Sequence, residues 1–256
     1  MSLNRKIPSW AGRRVWVIGA SYGIGAALAR ELINLGAKVA LSARTRDLLD
    51  AIAEATDAIV APLDVTDAVS VRSAARIVLD EWGEIDLVMI VAGTHIEMRA
   101  HNFNLSRAKK LVDVNVNGVL NCLETALPML LEQRRGGIAI VASVAGYRGL
   151  PKALIYGATK AALINLAESL YLDLAPRGIG VYLVNPGFVD TPLTQRNDFT
   201  MPALMPADEA ARQTLAGIAA GRFEIHYPKR FTRWLRLLRT LPYPAYFAAV
   251  RRFTGA

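Results

Sequence analysis

Short apolar runs alternate with amphipathic helical patterns along almost all of this 256-residue chain, and this alternation limits the fold more than any other feature. Parallel strands need a crossover connection of roughly a dozen residues or more, which a helix usually supplies. A series of strand and helix units therefore predicts an α/β domain whose parallel sheet is covered by helices on both faces. We predict a doubly wound sheet of about seven strands.

The predicted strands are short and apolar, and a helical pattern with a 3.6-residue repeat follows most of them. The strands cover residues 14–19, 38–43, 58–63, 86–92, 137–142, 179–185 and 223–227. The helical patterns cover about 24–35, 46–55, 68–82, 106–131, 155–175 and 207–220. No internal boundary interrupts the alternation, so residues 1–228 are predicted to form one domain. Residues 188–206 lack periodicity and are predicted to be a loop that closes over a ligand.

Composition narrows the class of protein further. Hydrophobic residues make up 53% of the chain, enough for a substantial core. Cys122 is the single cysteine, which excludes an intramolecular disulfide and fits a reducing compartment. The first residues lack the apolar core of a signal peptide, and no run of about 18 uncharged apolar residues occurs. We expect a cytoplasmic protein that does not span a membrane.

A glycine-rich turn joins the first predicted strand to the first predicted helix. Gly19, Gly23 and Gly25 have the spacing GxxxGxG, with Ser21, Tyr22 and Ile24 between them. Glycines let the backbone turn tightly and approach a pyrophosphate, and the helix that follows offers free N–H groups to the anion. The turn predicts a Rossmann-like dinucleotide site.

The end of the second predicted strand bears on the choice of cofactor. An acidic residue at this place binds the ribose hydroxyls, whereas a basic one accommodates a 2′-phosphate. The chain has Arg44 there and no carboxylate, which favours NADP(H). The alternative is that Arg44 only pairs with a surface acid such as Asp47. Asp64, after the third strand, suits a contact with adenine or a cap on the next helix.

Tyr156 and Lys160 lie four residues apart at the start of a predicted helix, so both side chains lie on one face. A nearby ammonium favours the ionised phenol, and we therefore expect Lys160 to lower the pKa of Tyr156. A tyrosine placed in this way can act as a general acid or base near neutral pH. Ser143 comes directly after the fifth predicted strand and is expected at the same edge of the sheet.

These motifs resemble, in order, those of the short-chain dehydrogenase/reductase family, in its branch of about 250 residues with one Rossmann-like domain. The resemblance covers residues 13 to about 227. Besides the features above, it includes Asn115 in Asp-Val-Asn-Val-Asn-Gly and the segment Asn185-Pro-Gly187. So many motifs in the family's order make the resemblance highly specific.

The resemblance implies a role for each matching residue. The implied catalytic residues are Ser143, which holds the substrate oxygen, Tyr156, the general acid or base, Lys160, which binds the nicotinamide ribose, and Asn115, which orients a relay water. The implied cofactor contacts are Gly19, Ser21, Tyr22, Gly23, Ile24, Gly25, Arg44, Asp64, Val65, Ala92, Gly93, Tyr156, Lys160, Pro186, Gly187, Val189 and Thr191. No metal is predicted. The family often forms dimers or tetramers, so a homodimer or homotetramer is implied.

One segment departs from the family pattern. Ile90 and Val91 precede Ala92-Gly93, where the family commonly has two asparagines. This change removes side-chain hydrogen bonds that tie the strand to its neighbours, which affects local geometry or cofactor affinity more than the reaction. His95 follows shortly after, and we expect it to be a loop residue without a role rather than part of the substrate site.

The C-terminal segment is basic, although the body of the chain is balanced. The net charge is +8; residues 1–220 contain 22 basic and 21 acidic side chains, and residues 221–256 contain eight basic ones and only Glu224. Residues 229–241 form an amphipathic helical pattern with arginines on one side. Residues 229–256 are expected to pack on the domain or another subunit, or to contact an anionic membrane surface. No stacking platform or motif indicates nucleic acid.

The motifs favour an NADP(H)-dependent oxidoreductase that interconverts a carbonyl and a hydroxyl, with a hydrophobic substrate. Two alternatives remain at this point. The first is a noncatalytic nucleotide-binding sensor or scaffold, which the presence of Ser143, Asn115, Tyr156 and Lys160 argues against. The second is an isomerase or dehydratase, which would not consume NADPH stoichiometrically.

Overall fold

The computed structural model of the chain describes residues 2–195 and 201–254. In this part of the chain a parallel sheet of seven strands has the order β3-β2-β1-β4-β5-β6-β7. The strands are β1 (Arg14–Ile18), β2 (Lys38–Ser42), β3 (Ile59–Val60), β4 (Leu87–Ile90), β5 (Gly137–Val141), β6 (Gly180–Pro186) and β7 (Glu224–Tyr227). The predicted doubly wound, Rossmann-like architecture is confirmed. The third strand is much shorter than predicted.

The α-helices connect these strands and follow the chain order closely. They are α1 (Gly23–Asn34), α2 (Arg46–Ala53), α3 (Ala68–Trp82), α4 (Leu105–Val112), α5 (Gly118–Gln133), α6 (Leu154–Leu174), α7 (Ala207–Ala219), α8 (Lys229–Leu238) and α9 (Tyr243–Thr254). The single helix predicted over 106–131 is wrong in one respect. A π-helical turn, Asp113–Asn117, separates α4 from α5.

Alternating side chains of the central strands fill two cores, one on each face of the sheet. Val15 and Val17 of β1 pack with α1 and α7, whereas Trp16 and Ile18 pack with α3, α5 and α6. All four side chains are fully buried. A sheet buried on both faces needs apolar residues at successive positions, which explains why its strands appear in the sequence as continuous apolar runs.

The C-terminal helices pack against each other and against the end of the sheet. Leu238, Tyr246 and Val250 form a small separate core between α8 and α9. No helical pattern was predicted beyond residue 241, but α9 begins at Tyr243, between Pro242 and Pro244. Proline is compatible with the first turn of a helix, where the N–H that it lacks has no intrahelical partner. Among the described residues, no helix is long and apolar enough to cross a membrane.

Candidate active site

The site lies at the carboxyl ends of β1 and β4, where the strand order reverses direction. Neighbours of β1 are β2 on one side and β4 on the other. In open α/β sheets, a ligand crevice forms at such a switch point. Gly19 follows β1, and Ala92 and Gly93 follow β4, so the sheet brings these predicted cofactor contacts to one place.

Two glycines close the turn against neighbouring segments. Gly19 has a φ of +100°, and a Cβ there would lie 2.5 Å from the backbone nitrogen of Ala92. Gly23 has a φ of +54°, and a Cβ there would lie 2.7 Å from Cγ2 of Thr191. Both the conformation and the space therefore require glycine. The glycine-rich turn therefore lies against Thr191, which is another of the implied cofactor contacts.

The N-terminus of α1 has no side-chain cap. Tyr22 occupies the N-cap position without a capping hydrogen bond, and the first turn contains no acidic residue. Gly25 is buried, Ser21 is half-buried, and Ile24 packs against the core beneath α1. An uncapped helix start of this kind leaves N–H groups for a phosphate. The turn fits the pyrophosphate of a dinucleotide.

A cleft of about 910 Å³ lies at the ends of β2 and β3, against α4 and the π-helical turn. It is lined by Arg44, Asp64, Thr66, Leu105, Ser106, Lys109, Lys110, Asp113, Val114 and Asn117. The two lysines of α4 were not predicted, because only the fold brings them to the same cleft as Arg44. Three cations and two carboxylates, those of Asp64 and Asp113, line the cleft, so its net charge is positive and favours an anionic ligand.

Arg44 and Asp64 both line the cleft. Within the described part of the chain, Arg44 is exposed and has no ion pair, whereas Arg46 pairs with Asp50 at 3.4 Å. The alternative in which Arg44 pairs with Asp47 is therefore not seen. Asp64 Oδ1 accepts hydrogen bonds from the backbone and hydroxyl of Thr66, and the cap of α3 is Asp67 instead.

Val65 is buried beside α5, outside the lining of the cleft. Its carbonyl oxygen accepts a hydrogen bond of 2.8 Å from Asn121 Nδ2. Its side chain lies so near Gly118 that a Cβ at that glycine would come within 2.7 Å of it. The structure therefore gives Val65 a packing role next to the cofactor cleft.

The three predicted catalytic side chains meet beyond the carboxyl end of β5; they are Ser143, Tyr156 and Lys160. Ser143 comes shortly after this strand, and its hydroxyl lies near enough to the Tyr156 phenol to act on that group's pKa. Its Oγ also accepts a hydrogen bond of 3.1 Å from the backbone of Ala145. Tyr156 lies in the first turn of α6, and Lys160 Nζ lies 5.8 Å from the centroid of its ring. The predicted triad thus shares one location.

Burial controls the ionisation of this pair. It raises the pKa of Tyr156, and the hydrogen bond with Ser143 offsets only part of the rise. It also lowers the pKa of Lys160 to about 8. The expectation that Lys160 depresses the pKa of Tyr156 is therefore wrong here. The ammonium instead donates to the carbonyl oxygen of Val141 at 2.9 Å, and burial is the largest influence on the phenol pKa. Both groups hold their protons at neutral pH.

Asn115 ties the turn after β4 to α6. Its Oδ1 accepts from the backbone N–H of Thr94 at 2.8 Å, and its Nδ2 donates to the Thr94 carbonyl at 2.9 Å and to Thr159 Oγ1 at 3.1 Å. A Cβ at Gly93 would lie 3.3 Å from Lys160 Nζ and 3.4 Å from Asn115 Oδ1. Asn115 and Lys160 therefore border the same space beside Gly93.

Ile90 and Val91 leave the strand end intact, although they lack the amides common in the family. The backbone nitrogens of Val91 and Ala92 both donate to the carbonyl oxygen of Ile18, at 2.8 and 2.9 Å. Ile90 is buried in the second core. Backbone hydrogen bonds and apolar packing thus hold this segment, and Asn115 holds the turn that follows it.

The segment after β6 lies against Ser143 and the C-terminal helices. Ser143 Oγ approaches the Pro186 carbonyl at 3.5 Å, and the Gly187 backbone donates to the Tyr227 carbonyl at 2.7 Å. Val189 is buried and forms a parallel bridge with Met205. The predicted closing loop over 188–206 is described only in part, since residues 196–200 lie outside the described residues.

Two residues of the site were not predicted. The ring of His95 meets the ring of Tyr156 edge to face, with centroids 4.7 Å apart. Burial lowers the pKa of His95, so the imidazole is neutral at pH 7. Phe231 of α8 packs on the segment after β6, with its ring 5.7 Å from that of Phe188. Only tertiary contact reveals either residue, because neither belongs to a local motif.

Comparison with known proteins agrees with this geometry. The family described as short chain dehydrogenase matches residues 13–201. An uncharacterized oxidoreductase of Myxococcus xanthus (strain DK1622) is 36% identical over 245 residues, which cover 94% of this chain and 97% of that protein. The chain therefore belongs to the short-chain dehydrogenase/reductase family and is an oxidoreductase of that family.

Solved structures of the family superpose on most of the chain. A short chain dehydrogenase from Burkholderia cenocepacia J2315, in complex with NADP, has a TM-score of 0.84 at 26% identity and covers 94% of this chain and 98% of its own. An alcohol dehydrogenase from the archaeon Thermococcus sibiricus, complexed with 5-hydroxy-NADP, has a TM-score of 0.76 at 26% identity, with 84% and 95% covered.

Proposed function

We propose that this protein is an NADP(H)-dependent oxidoreductase that interconverts a carbonyl and a hydroxyl group on a hydrophobic molecule, with Tyr156 as general acid or base. The observation that supports it most is the grouping of Ser143, Tyr156, Lys160 and Asn115 beside Gly93. These side chains come from the segment after β5, from α6 and from the π-helical turn, and they converge at the carboxyl edge of the sheet. When bound, the nicotinamide cofactor supplies or accepts the hydride.

The residues of the cleft fit this cofactor. Gly19 and Gly23 make a cradle that a Cβ would fill, and the uncapped start of α1 suits a pyrophosphate. Arg44, Lys109 and Lys110 line the cleft further along the edge. Since no carboxylate follows β2 directly, a 2′-phosphate meets positive charge there, which supports NADP(H) over NAD(H).

The ionisation of the site suits proton donation to a carbonyl oxygen. Because burial raises the pKa of Tyr156, the phenol is protonated and able to act as an acid in the reducing direction. The Ser143 hydroxyl holds the same oxygen and stabilises the negative charge that develops on it. Lys160 stays charged below its pKa of about 8, and its ammonium is available to hold the nicotinamide ribose, the role that the family resemblance implies.

A hydrophobic substrate is supported by the surroundings of the site. The aromatic rings of Phe188 and Phe231 lie next to the segment after β6, and His95 is neutral against Tyr156. Apolar and aromatic walls with a few polar groups are typical of sites for such ligands.

The proposal also includes the assembly and place of the protein. We propose a homodimer or homotetramer in the cytoplasm, in which each chain has a domain of residues 1–228 and an extension of residues 229–256.

A screen of NADPH oxidation tests the function directly. Ketones graded from short polar to long acyl, sterol and aromatic types should include at least one that the protein reduces with stoichiometric loss of NADPH. Tyr156→Phe should lower kcat by about 10²- to 10⁴-fold, because it removes the general acid, while NADPH affinity stays within about twofold. Turnover by Tyr156→Phe at the parent rate would refute the mechanism. Product formation without NADPH consumption would instead indicate an isomerase or dehydratase.

A further inference from the structure

The hairpin of α8 and α9 leaves much of its apolar surface uncovered. Trp234, Leu237 and Phe253 are 56%, 61% and 67% exposed, although Leu238, Tyr246 and Val250 between the helices are buried. The rings of Trp234 and Phe253 meet edge to face with centroids 5.8 Å apart, so these side chains form one surface. Apolar groups collected on one exposed surface usually mark an interaction site.

Arginines surround this apolar surface. Arg230, Arg233, Trp234 and Leu237 stand at i, i+3, i+4 and i+7 of α8, which places them on a single helix face. All four are exposed. Arg251 and Arg252 are exposed near Phe253 in the last turns of α9. Within the described part of the chain, no carboxylate forms an ion pair with any arginine of this surface, that is with Arg230, Arg233, Arg251 or Arg252.

Contacts on the opposite side of α8 fix this helix to the domain, so α8 cannot rotate to bury its exposed apolar face. Arg236 approaches Glu224 Oε2 at 3.4 Å, and Thr232 Oγ1 lies 2.5 Å from His226 Nδ1. Arg148 donates to the Arg239 and Leu241 carbonyls at 3.1 and 2.6 Å, which secures the end of α8. The face of Arg230, Arg233, Trp234 and Leu237 therefore points away from the domain.

We propose that this hairpin surface binds an anionic lipid surface. Exposed Trp, Phe and Leu side chains enter the boundary between headgroups and acyl chains, and arginines at their edge bind the negative headgroups. The whole of α8 and α9 contains no acidic residue, so nothing on the hairpin repels such a surface. Binding to lipid is separate from the proposed reaction and does not require it.

Charge argues against a second copy of the chain as the occupant. A closed dimer that used this surface would place each patch on the same patch of the other copy. Arg230 and Arg233 would then face arginines without any carboxylate between them. Like charges brought together in this way oppose association. An anionic lipid surface meets both the apolar and the cationic parts of the patch.

The hairpin also adjoins the proposed active site. Phe231 lies on the inner side of α8, where a Cβ at Gly187 would come within 3.1 Å of its ring. Tyr246 of α9 donates to the Gly149 carbonyl at 2.8 Å, in the loop that follows Ser143. A protein bound through the outer face of the hairpin therefore holds these site segments close to the lipid surface.

Vesicle flotation of the full chain tests the proposal. The parent protein should float with vesicles of phosphatidylglycerol and phosphatidylcholine, and should remain at the bottom with vesicles of phosphatidylcholine alone. Arg230→Glu with Arg233→Glu should lower the partition coefficient by at least about 30-fold, because two headgroup contacts of about 1 kcal/mol each are lost. Trp234→Ser with Leu237→Ser should lower it at both low and moderate salt.

Matched controls separate the patch from general surface effects. Arg30→Glu with Arg76→Glu reverses two exposed arginines on α1 and α3, and Val69→Ser with Ile77→Ser replaces two exposed apolar residues of α3. Both controls should float like the parent. Circular dichroism and the melting temperature of every variant verify folding, since all eight positions are exposed.

Three results would overturn the proposal. The first is equal recovery of the parent with anionic and neutral vesicles. The second is a parent that binds no lipid, together with hairpin variants whose molar mass, measured by sedimentation, is lower than that of the parent. This result would make the surface a subunit interface. The third is binding of a mixed-sequence oligonucleotide that is lost in the hairpin variants, again without vesicle binding.

Discussion

Arg44 is the residue on which the cofactor preference depends. It is exposed at the end of β2, and Lys109 and Lys110 line the same cleft. Arg44→Ala should weaken NADPH binding by about 10- to 100-fold, the value of a charge-assisted hydrogen bond, and change NADH binding by less than about twofold. Fluorescence titration of both cofactors measures this difference.

Arg46 provides the matched control for that measurement. It lies two residues further along the chain, and Asp50 already pairs with it. Arg46→Ala should leave both affinities near the parent values. An equal loss of NADPH and NADH binding in Arg44→Ala would contradict a contact with the 2′-phosphate.

Asn115 illustrates how one buried amide can hold two segments. Its three hydrogen bonds join the turn after β4 to α6. Asn115→Ala should lower the free energy of unfolding by about 2 kcal/mol, because the backbone groups of Thr94 lose their partners. Urea denaturation measures this loss. Asn117→Ala, in the same π-helical turn, removes an exposed bond to Asp113 and should cost about 0.5 kcal/mol or less.

At the scale of elements, His226 joins β7 to α8. Its Nε2 accepts from the Arg236 guanidinium at 3.2 Å, which places the ring proton on Nδ1, facing Thr232. Burial lowers the pKa of His226 to about 4, and the nearby cations Lys229, Arg236 and Arg233 add to the shift against the opposing field of Glu224. A protonated ring would lose its bond from Arg236 and place two cations together.

This contact predicts a loss of stability in acid. Between about pH 6.5 and pH 4 the unfolded chain binds a proton at His226 that the folded chain excludes, so the free energy of unfolding falls as the pH falls. The loss should be on the order of 1 to 2 kcal/mol, because solvent near the ring offsets part of the shift. In His226→Gln, the free energy of unfolding should change little between pH 6.5 and pH 4. In His101→Gln, at an exposed position, it should fall with pH as in the parent. A profile for His226→Gln that matched the parent would contradict the assignment.

The elements also show which predictions local patterns support. Strand and helix positions followed from periodicity, because burial on one or both faces imposes a repeat that is visible within a few residues. The π-helical turn and α9 were missed. One extra residue in a turn leaves the apolar repeat almost unchanged, and prolines appear alike in a loop and in the first turn of a helix.

At the scale of the whole molecule, Arg148 connects the sheet domain to the C-terminal hairpin. Its guanidinium packs on the rings of Tyr243 and Tyr246, 4.6 and 4.1 Å from their centroids, besides its bonds to carbonyls at the end of α8. Arg148→Ala should raise the hydrogen-exchange rates of α8 and α9 by about tenfold and leave β1, β4 and β5 unchanged. Arg177→Ala, at an exposed site, should change neither. If Arg148→Ala raised the hydrogen-exchange rates of α8, α9, β1, β4 and β5 by the same factor, the hairpin and the domain would open together, which would contradict this prediction.

The sequence alone is enough to predict the order of strands and helices, the parallel sheet, the glycine turn and the family. Each of these depends on neighbouring residues or on fixed spacing, so a linear pattern preserves it. The raised pKa of Tyr156, the contact of His95 with its ring and the placement of Lys109 and Lys110 in one cleft with Arg44 depend on the folded chain. The tertiary structure also decided which face of α8 remains exposed. Burial and distance between segments far apart in the chain govern these properties, and neither quantity exists until the sheet has formed.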